Sequence, residues 1–501
     1  MQGFLDQSAY LLTPLPLALM LLGTALGITV GAVPGLTGAM LIALTLPLTY
    51  SMNQLDALVL LVSMYVGAIS GGLITATLLR MPGTPASIMT TLDGYPLAKS
   101  GQPGRALGLG VTASFIGGMV SFVFLALLAA PLAKYANRLG PFDYFSLVLM
   151  ALVLIASVSG GSIARGILSG LLGILATMPG MNPSTGQMRL TLGYSELTDG
   201  LKLLPVLIGL FAVSQILRDI LTIDVQGESI TMSRRGLFMT LADWKKQAGN
   251  MLRSSLIGTW VGILPGIGAN IGSVMAYSAA KRFSKDPEKF GHGSEEAIVA
   301  SEAANNATVG GALIPLIAMG IPGSVIDAIL LGAMILHDLQ PGPLLFQDHS
   351  DVAYTIMSTF FFANIAMFVI MIASLGLLAK LASVPRALLI PIVLVFCVVG
   401  SYSLSNRMFD VWVMLAFGGI GFGMERLKIP LAPFVIGFVL APVAEKNLGK
   451  ALMLHDGSYL PMFTRPLSLV FFSVAMVLLF RPLWQRWREL RGRGVTSRSQ
   501  K

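Results

Sequence analysis

The sequence predicts an all-α polytopic integral membrane protein with re-entrant, broken helices arranged in two inverted repeats. Three observations predict it. The 501-residue chain is 54% hydrophobic and only 11% charged, whereas soluble domains carry about 25% charged residues, so too little polar surface is left to face water. Apolar runs of membrane length recur along it, enough for roughly 11–13 membrane helices at about 20 residues per crossing. The same helix-breaking landmarks also appear twice, in the same order.

Taken in order, residues 9–50 are almost wholly apolar but split at VGAVPGLTGAM, where Pro34, Gly35, Thr37 and Gly38 interrupt the run. A Pro-Gly pair ends one helix with free carbonyls and starts the next with free N–H groups. The run at 55–79 ends at Arg80 and MPGTPAS, which contains Pro82, Gly83, Thr84 and Ser87. TTLDGYPLAKSGQPGRA then reads as a polar loop with Lys99 and Arg105, before apolar spans at 105–133, 142–160, 163–180 and 200–217. Residues 218–252 are the longest hydrophilic stretch and are expected to be a cytoplasmic linker between repeats at 1–217 and 253–480. Further apolar spans are expected at 352–379, 386–403, 408–424, 430–444 and 466–483, followed by a basic cytoplasmic tail at 481–501.

After the linker the landmarks return. VGAVPGLTGA at 30–39 aligns with VGILPGIGAN at 261–270, Gly71-Gly72 with Gly310-Gly311, MPGTPAS with IPGSVID, and one QPG with another, at offsets of 231, 239, 240 and 238 residues. Internal repeats of this kind are typical of secondary transporter folds. Residues 253–280 are too short for two full crossings and have basic segments on both sides, so Pro265-Gly266 is expected at the tip of a hairpin with both ends cytoplasmic. The matching hairpin at Pro34-Gly35 lies between a cation-free N-terminus beside Asp6 and SMNQLD. Opposite charge bias makes the repeats inverted, with the N-terminus periplasmic and the C-terminus cytoplasmic. The N-terminus lacks a basic n-region and is expected to be retained.

Candidate site residues cluster at the breaks. Helix N-termini after Pro34-Gly35, Pro82-Gly83, Pro265-Gly266 and Pro322-Gly323 present free N–H donors and partial positive charge, suited to carboxylates. Thr37, Thr84, Ser87, Gly268, Asn270 and Ser324 add small or polar groups there. Glu302, Asn305 and Asn306 share one helix face at i, i+3 and i+4 and are candidate ligands for a coupling Na⁺ or H⁺. An intramembrane carboxylate is costly unless it is paired or wet, although Glu302 could also lie only two turns from the membrane surface. For the two asparagines the alternative is inter-helix hydrogen bonding. Glu302 aligns with Ser63 at the offset of 239, so only the second repeat supplies a carboxylate. Arg80 is expected to snorkel, Asp327 to serve as a helix N-terminal charge, and His337 beside Asp338 to be structural.

Other classes are poorly supported. Cys397 is the only cysteine, which excludes an intrachain disulfide framework. The net charge of +9 sits in loops and the tail, as the positive-inside rule requires, and does not indicate nucleic acid binding. There is no GxxxxGK[ST] or HExxH motif and no catalytic constellation, so no enzyme activity and no cofactor beyond the coupling ion is expected. An ion channel is the alternative, and it calls for a continuous polar file rather than polar groups gathered at paired breaks.

At these motifs the sequence resembles the large membrane subunit of the tripartite tricarboxylate transporter family, which is TctA-like. The likeness is carried by GAVPGLTGAMLIALTLPLTY, MYVGAISGGLITATLLRMPGTPASIMTTLDGYPLAKSGQPGRAL, STGQMRLTLGYSELTDGLKLLPVLIGLFAVSQIL, GILPGIGANIGSVMAYSAAKRFSKDPEKFGHG, SEAANNATVGGALIPLIAMGIPGS and LQPGPLLF. It implies a bacterial inner-membrane permease in the lipid bilayer, importing organic carboxylates such as citrate on an ion gradient. A small membrane subunit and a periplasmic solute-binding protein would be its partners. Departures from the family pattern fall at Asn182, Gln215, Ala297, Ser301 and Asp327.

Overall fold

The computed structural model describes residues 2–158, 162–221, 230, 233, 235–265, 268–381, 386–403 and 405–480. Gly266 of the third break and the basic tail at 481–501 therefore lie outside the described residues.

The helices in order are α1 (Gln2–Leu11), α2 (Pro14–Gly31), α3 (Gly38–Thr49) and α4 (Gln54–Leu78). They continue with α5 (Ile88–Lys99), α6 (Pro103–Ala136), α7 (Pro141–Val158) and α8 (Ile163–Ala176), then α9 (Leu203–Ile208) and α10 (Ser214–Leu221), joined by a π-turn. The order continues with α11 (Leu241–Ile263), α12 (Gly268–Phe283), α13 (Glu295–Met319), α14 (Val325–Leu336), α15 (Leu345–Asp348) and α16 (Ser350–Leu381). It ends with α17 (Arg386–Ser403), α18 (Met408–Arg426), α19 (Leu431–Leu454), α20 (Leu460–Thr464) and α21 (Pro466–Phe480). One two-stranded ribbon, Gly180–Met181 against Met188–Arg189, is the only sheet among the described residues.

Seven of these segments are long and apolar enough to cross a membrane: α2, α4, α6, the α9–α10 segment, α16, α18 and α19. Six shorter apolar helices accompany them, which makes this an all-α, multi-pass membrane protein. The 12-residue helices α3, α5 and α14 rise only about 18 Å at ~1.5 Å per residue, short of a hydrocarbon core of about 30 Å. Breaks at the Pro-Gly pairs are what shorten them.

One expectation is corrected. The segment read as a polar loop after MPGTPAS is helical through Lys99. Its polar groups misled the reading because they are satisfied inside the protein, Asp93 above all, whose carboxylate is fully buried. The hydrophilic stretch before residue 253 is also partly helical, since α11 starts at Leu241 behind a Thr240–Asp243 capping box.

The backbone repeats closely. Glycines let α2 lie against α4 and α11 against α13, each pair running parallel. A methyl on Gly27 would overlap the carbonyl of Met64, and one on Gly31 that of Ala68. Gly258 and Gly262 face Ala304 and Thr308 in the same way. These pairs match at offsets of 231 residues for the first helix and 240 for the second, so Glu302 corresponds to Val62 rather than Ser63. The position still lacks a carboxylate in the first repeat.

The repeats are inverted. Thr77, in the last turn of α4, sits beside Gly94 of α5, and Asp93 bonds the backbone at Ser294, the N-cap of α13. At the other end Gln54 Nε2, in the first turn of α4, donates to the carbonyl of His337, just past α14. Helices α4 and α13 thus run antiparallel, crossing where Ser70 Oγ donates to Asn306 Oδ1 (2.6 Å).

The chain divides into two compact units. One comprises 1–137 with 202–423 and contains both broken-helix cores. The other comprises 138–201 with 424–501. In the second unit α19 packs on α7 and α8, Arg465 pairs with Asp143 (2.9 Å) and Arg189 with Glu445 (2.5 Å).

Candidate functional site

All four breaks fall in the first unit and meet in pairs that cross between the repeats. At the first, Thr37 caps α3 by accepting from Met40 N (3.2 Å). A side chain on Gly38 would press on Ala68 of α4 (2.7 Å) and on Ile326 of α14 (3.2 Å). The first break therefore lies against the fourth, where Ser324 caps α14 by accepting from Asp327 N (3.3 Å). At the second, Thr84 and Ser87 close a tight turn, with Thr84 N donating to Ser87 Oγ (3.2 Å) and Ser87 Oγ donating back to the Thr84 carbonyl (2.8 Å). That turn packs on α12, whose first residue, Gly268, has a left-handed φ of 67°. Gly83 abuts Gly72 and the Gly31 carbonyl, and Gly323 abuts Ala312 and the Gly262 carbonyl. Chain segments after α4 and α13 thus turn back into the protein before starting their half-helices.

Pro34, Pro265 and Pro322 are buried, whereas Pro82 and Asn270 are exposed. Arg80 is exposed, with its guanidinium over the Tyr95 ring (5.7 Å). Its backbone is left-handed (φ 54°), matching Gly320 (φ 70°), the C-cap of α13. His337 is structural: its Nε2 lies 3.3 Å from Thr49 Oγ1.

Glu302, Asn305 and Asn306 are all enclosed by protein, with relative exposures of 0%, 0% and 2%. Its Oε1 accepts from Thr90 Oγ1 (2.5 Å) and Oε2 from Ser114 Oγ (3.2 Å). Thr90 stands in the first turn of α5, whose N-terminal dipole favours a carboxylate. Asn306 serves the inter-helix role, accepting from Ser70 and donating to the Glu302 carbonyl (3.2 Å). Asn305 Nδ2 reaches the Ile69 carbonyl at 3.5 Å, while its Oδ1 and Thr84 Oγ1 are buried without a hydrogen-bond partner. Orphaned oxygens of this kind are what a cation or a donor-bearing solute would satisfy.

Residues 17–436 match the family described as "Tripartite tricarboxylate transporter TctA family". The chain belongs to that family. It is 33% identical over 466 residues, 93% of this chain and 92% of the relative, to an Agrobacterium vitis protein described as "Uncharacterized 52.8 kDa protein in TAR-I ttuC' 3'region". A second from Agrobacterium vitis, "Uncharacterized protein in TAR-II ttuC' 3'region", is 31% identical over 226 residues, 45% of this chain and 93% of that one. No solved structure matches the chain.

Several site partners escaped the sequence reading. Thr90 and Ser114 hold Glu302 from two other helices, and Ser301 Oγ lies 3.2 Å from Thr90 Oγ1. Ser301 and Ala297 were noted only as departures from the family pattern, yet the Ser301 hydroxyl joins this network and also donates to the Ala297 carbonyl (2.8 Å). Asp93 accepts from Gly291 N, Gly293 N and Ser294 N through one oxygen (2.9, 3.0 and 2.7 Å) and from Tyr277 Oη through the other (2.9 Å). A lone aspartate between Leu92 and Gly94 was the only available signal. Arg105 nearby bridges Asp243 (2.6 Å) and Glu295 (2.8 Å) and holds the Asp243 carboxyl well below the usual range. Gln215 donates to Asp219 (3.0 Å), and together they line a small cleft with Pro34 of the first break. Asn182 Nδ2 donates to Glu445 (3.0 Å), which an aspartate there could not do.

Proposed function

We propose that the protein is the large permease subunit of a binding-protein-dependent secondary transporter that imports organic carboxylates by symport with Na⁺ or H⁺. The observation that carries this reading is the crossed pairing of four helix breaks around antiparallel α4 and α13. It gathers half-helix N-termini suited to a carboxylate beside freed carbonyls and a buried acid suited to a cation. Glu302, with Asn305 next to it, is the proposed coupling-ion ligand, and the break residues Thr37, Thr84, Ser87, Gly268 and Ser324 are proposed to border the solute. Family membership supports a small membrane subunit and an extracytoplasmic solute-binding protein as partners. The basic loops support an inner-membrane location with Lys99, Arg105 and Arg253 on the cytoplasmic side.

Reconstituted with both partners in proteoliposomes, the protein is expected to take up a labelled carboxylate from a di- and tricarboxylate panel only under an inward Na⁺ or H⁺ gradient. Uptake indifferent to both gradients would overturn symport. Glu302→Gln, which keeps the shape of the site but removes the charge and turns one accepted hydrogen bond into a donated one, is expected to uncouple uptake from the gradient. Coupled uptake at the normal rate in that variant would remove Glu302 from the ion site.

A further inference from the structure

The junction of the first and fourth breaks holds a second buried acid, and its surroundings differ from those of Glu302. Asp327 occupies the first turn of α14, is 0% exposed, and has no hydrogen-bond partner at either carboxylate oxygen. The polar groups that face it are the hydroxyls Tyr65 Oη on α4 and Ser324 Oγ, which lie 3.2 Å from each other, and the backbone N–H of Ser324. Four helices pack on α14, namely α3, α4, α9 and α13. The sequences of α3 and α9 contain no ionisable side chain. The acid of α4 is Asp56, in its first turn, and those of α13 are Glu295, Glu296 and Glu302, in its N-terminal third and away from the end that leads into α14. Tyr65 is the one titratable group that faces the Asp327 carboxyl. On α14 itself and just beyond, His337 is engaged with Thr49 and Asp338 lies past the helix end.

An ionised carboxylate offers about four acceptor sites. Left in a dry interior with no well-formed hydrogen bond and no paired cation, it is among the costliest groups a protein can bury. The neutral acid needs far less, since it carries its own O–H donor and can hand it to either hydroxyl. One carboxyl and two hydroxyls are enough to hold a proton but leave a sodium ion short of its usual oxygen shell.

We propose that Asp327 is a proton-binding site separate from Glu302, carrying its proton in this closed junction and giving it to water when α3, α4 and α14 part. The use of that proton for coupling rests on the transport reading above, but its presence on Asp327 does not.

Infrared difference spectroscopy of the purified full-length protein in nanodiscs, without substrate, tests the occupancy. At neutral pH a carboxylic-acid C=O band is expected that shifts on labelling aspartate carboxyls with ¹³C, is lost in Asp327→Asn and persists in Glu302→Gln. Replacing K⁺ by Na⁺ at constant pH should leave it unmoved. Tyr65→Phe, which removes the facing hydroxyl and keeps the ring, should shift the band without abolishing it; this arm and the isotope shift stand even where Asp327→Asn does not fold. The proposal is overturned by absence of a ¹³C-sensitive band, by its loss on adding Na⁺, or by a band that survives Asp327→Asn and is also indifferent to Tyr65→Phe. Failure of the uptake experiment with the band intact would strike the transport reading alone.

Discussion

The two repeats share a backbone and diverge in what fills it. Glycine contacts between α2 and α4 recur between α11 and α13 at matched positions, and each repeat re-enters through a 12-residue half-helix, α5 or α14. The ends of the crossed core are nonetheless unlike. Where α13 begins, Asp93 clasps three backbone N–H groups and Arg105 spans two carboxylates. Where α4 begins, the equivalent link is neutral, a single bond from Gln54 to the His337 carbonyl (2.8 Å). Inversion thus fixes where the chain goes and leaves each end free to set how firmly it is tied.

The severest test of the shared backbone is Gly31→Val set beside Gly262→Val. Each side chain would overlap a carbonyl of the neighbouring helix, where no flexible group can yield. Both variants are expected to lose most monodisperse protein on purification. Tolerance in one repeat alone would break the equivalence.

A smaller effect is expected at the clasp. Asp93→Ala leaves three amides without their acceptor, at about 1–3 kcal/mol for each one left buried, whereas Gln54→Ala removes one bond, at about 1 kcal/mol. Thermal unfolding in nanodiscs should therefore drop several-fold further for Asp93→Ala. Equal shifts would erase the contrast between the ends.

The smallest effect concerns pH. Because Arg105 depresses the Asp243 carboxyl, its folded form holds a proton less readily than the unfolded chain does. The pair therefore stabilises the protein at pH values above the ordinary aspartate range near 4. That contribution should fade as the pH falls below it. Melting temperatures of wild type and Asp243→Asn should converge on acidification, and a gap that stays constant to low pH would remove the ion pair from the account.

Much of the candidate site was legible because its signals are local. Pro322 and Gly323 break a helix whatever surrounds them, and the i, i+3, i+4 spacing of Glu302, Asn305 and Asn306 puts them on one face of any helix. The helical state of residues 88–99 was not legible. Asp93 and Tyr95 look like loop residues until the N–H groups at 291–294 arrive from nearly 200 positions away. Nor could spacing tell that Asn306 braces α4 while the Asn305 oxygen is left unpaired, since both lie on the same turn.

By itself the sequence determined the membrane class, the positions of the breaks and the twofold repeat. Composition, proline chemistry and periodicity act through near neighbours and need no partner. Tertiary structure alone decided the one-residue register that sets Glu302 opposite Val62, the crossed pairing of the breaks, and the fates of the two buried acids. Glu302 is hydrogen-bonded by Thr90 and Ser114, while Asp327 has donors beside it and a formed hydrogen bond from none of them. Whether a buried carboxylate is satisfied depends on side chains that only the fold brings within hydrogen-bonding distance.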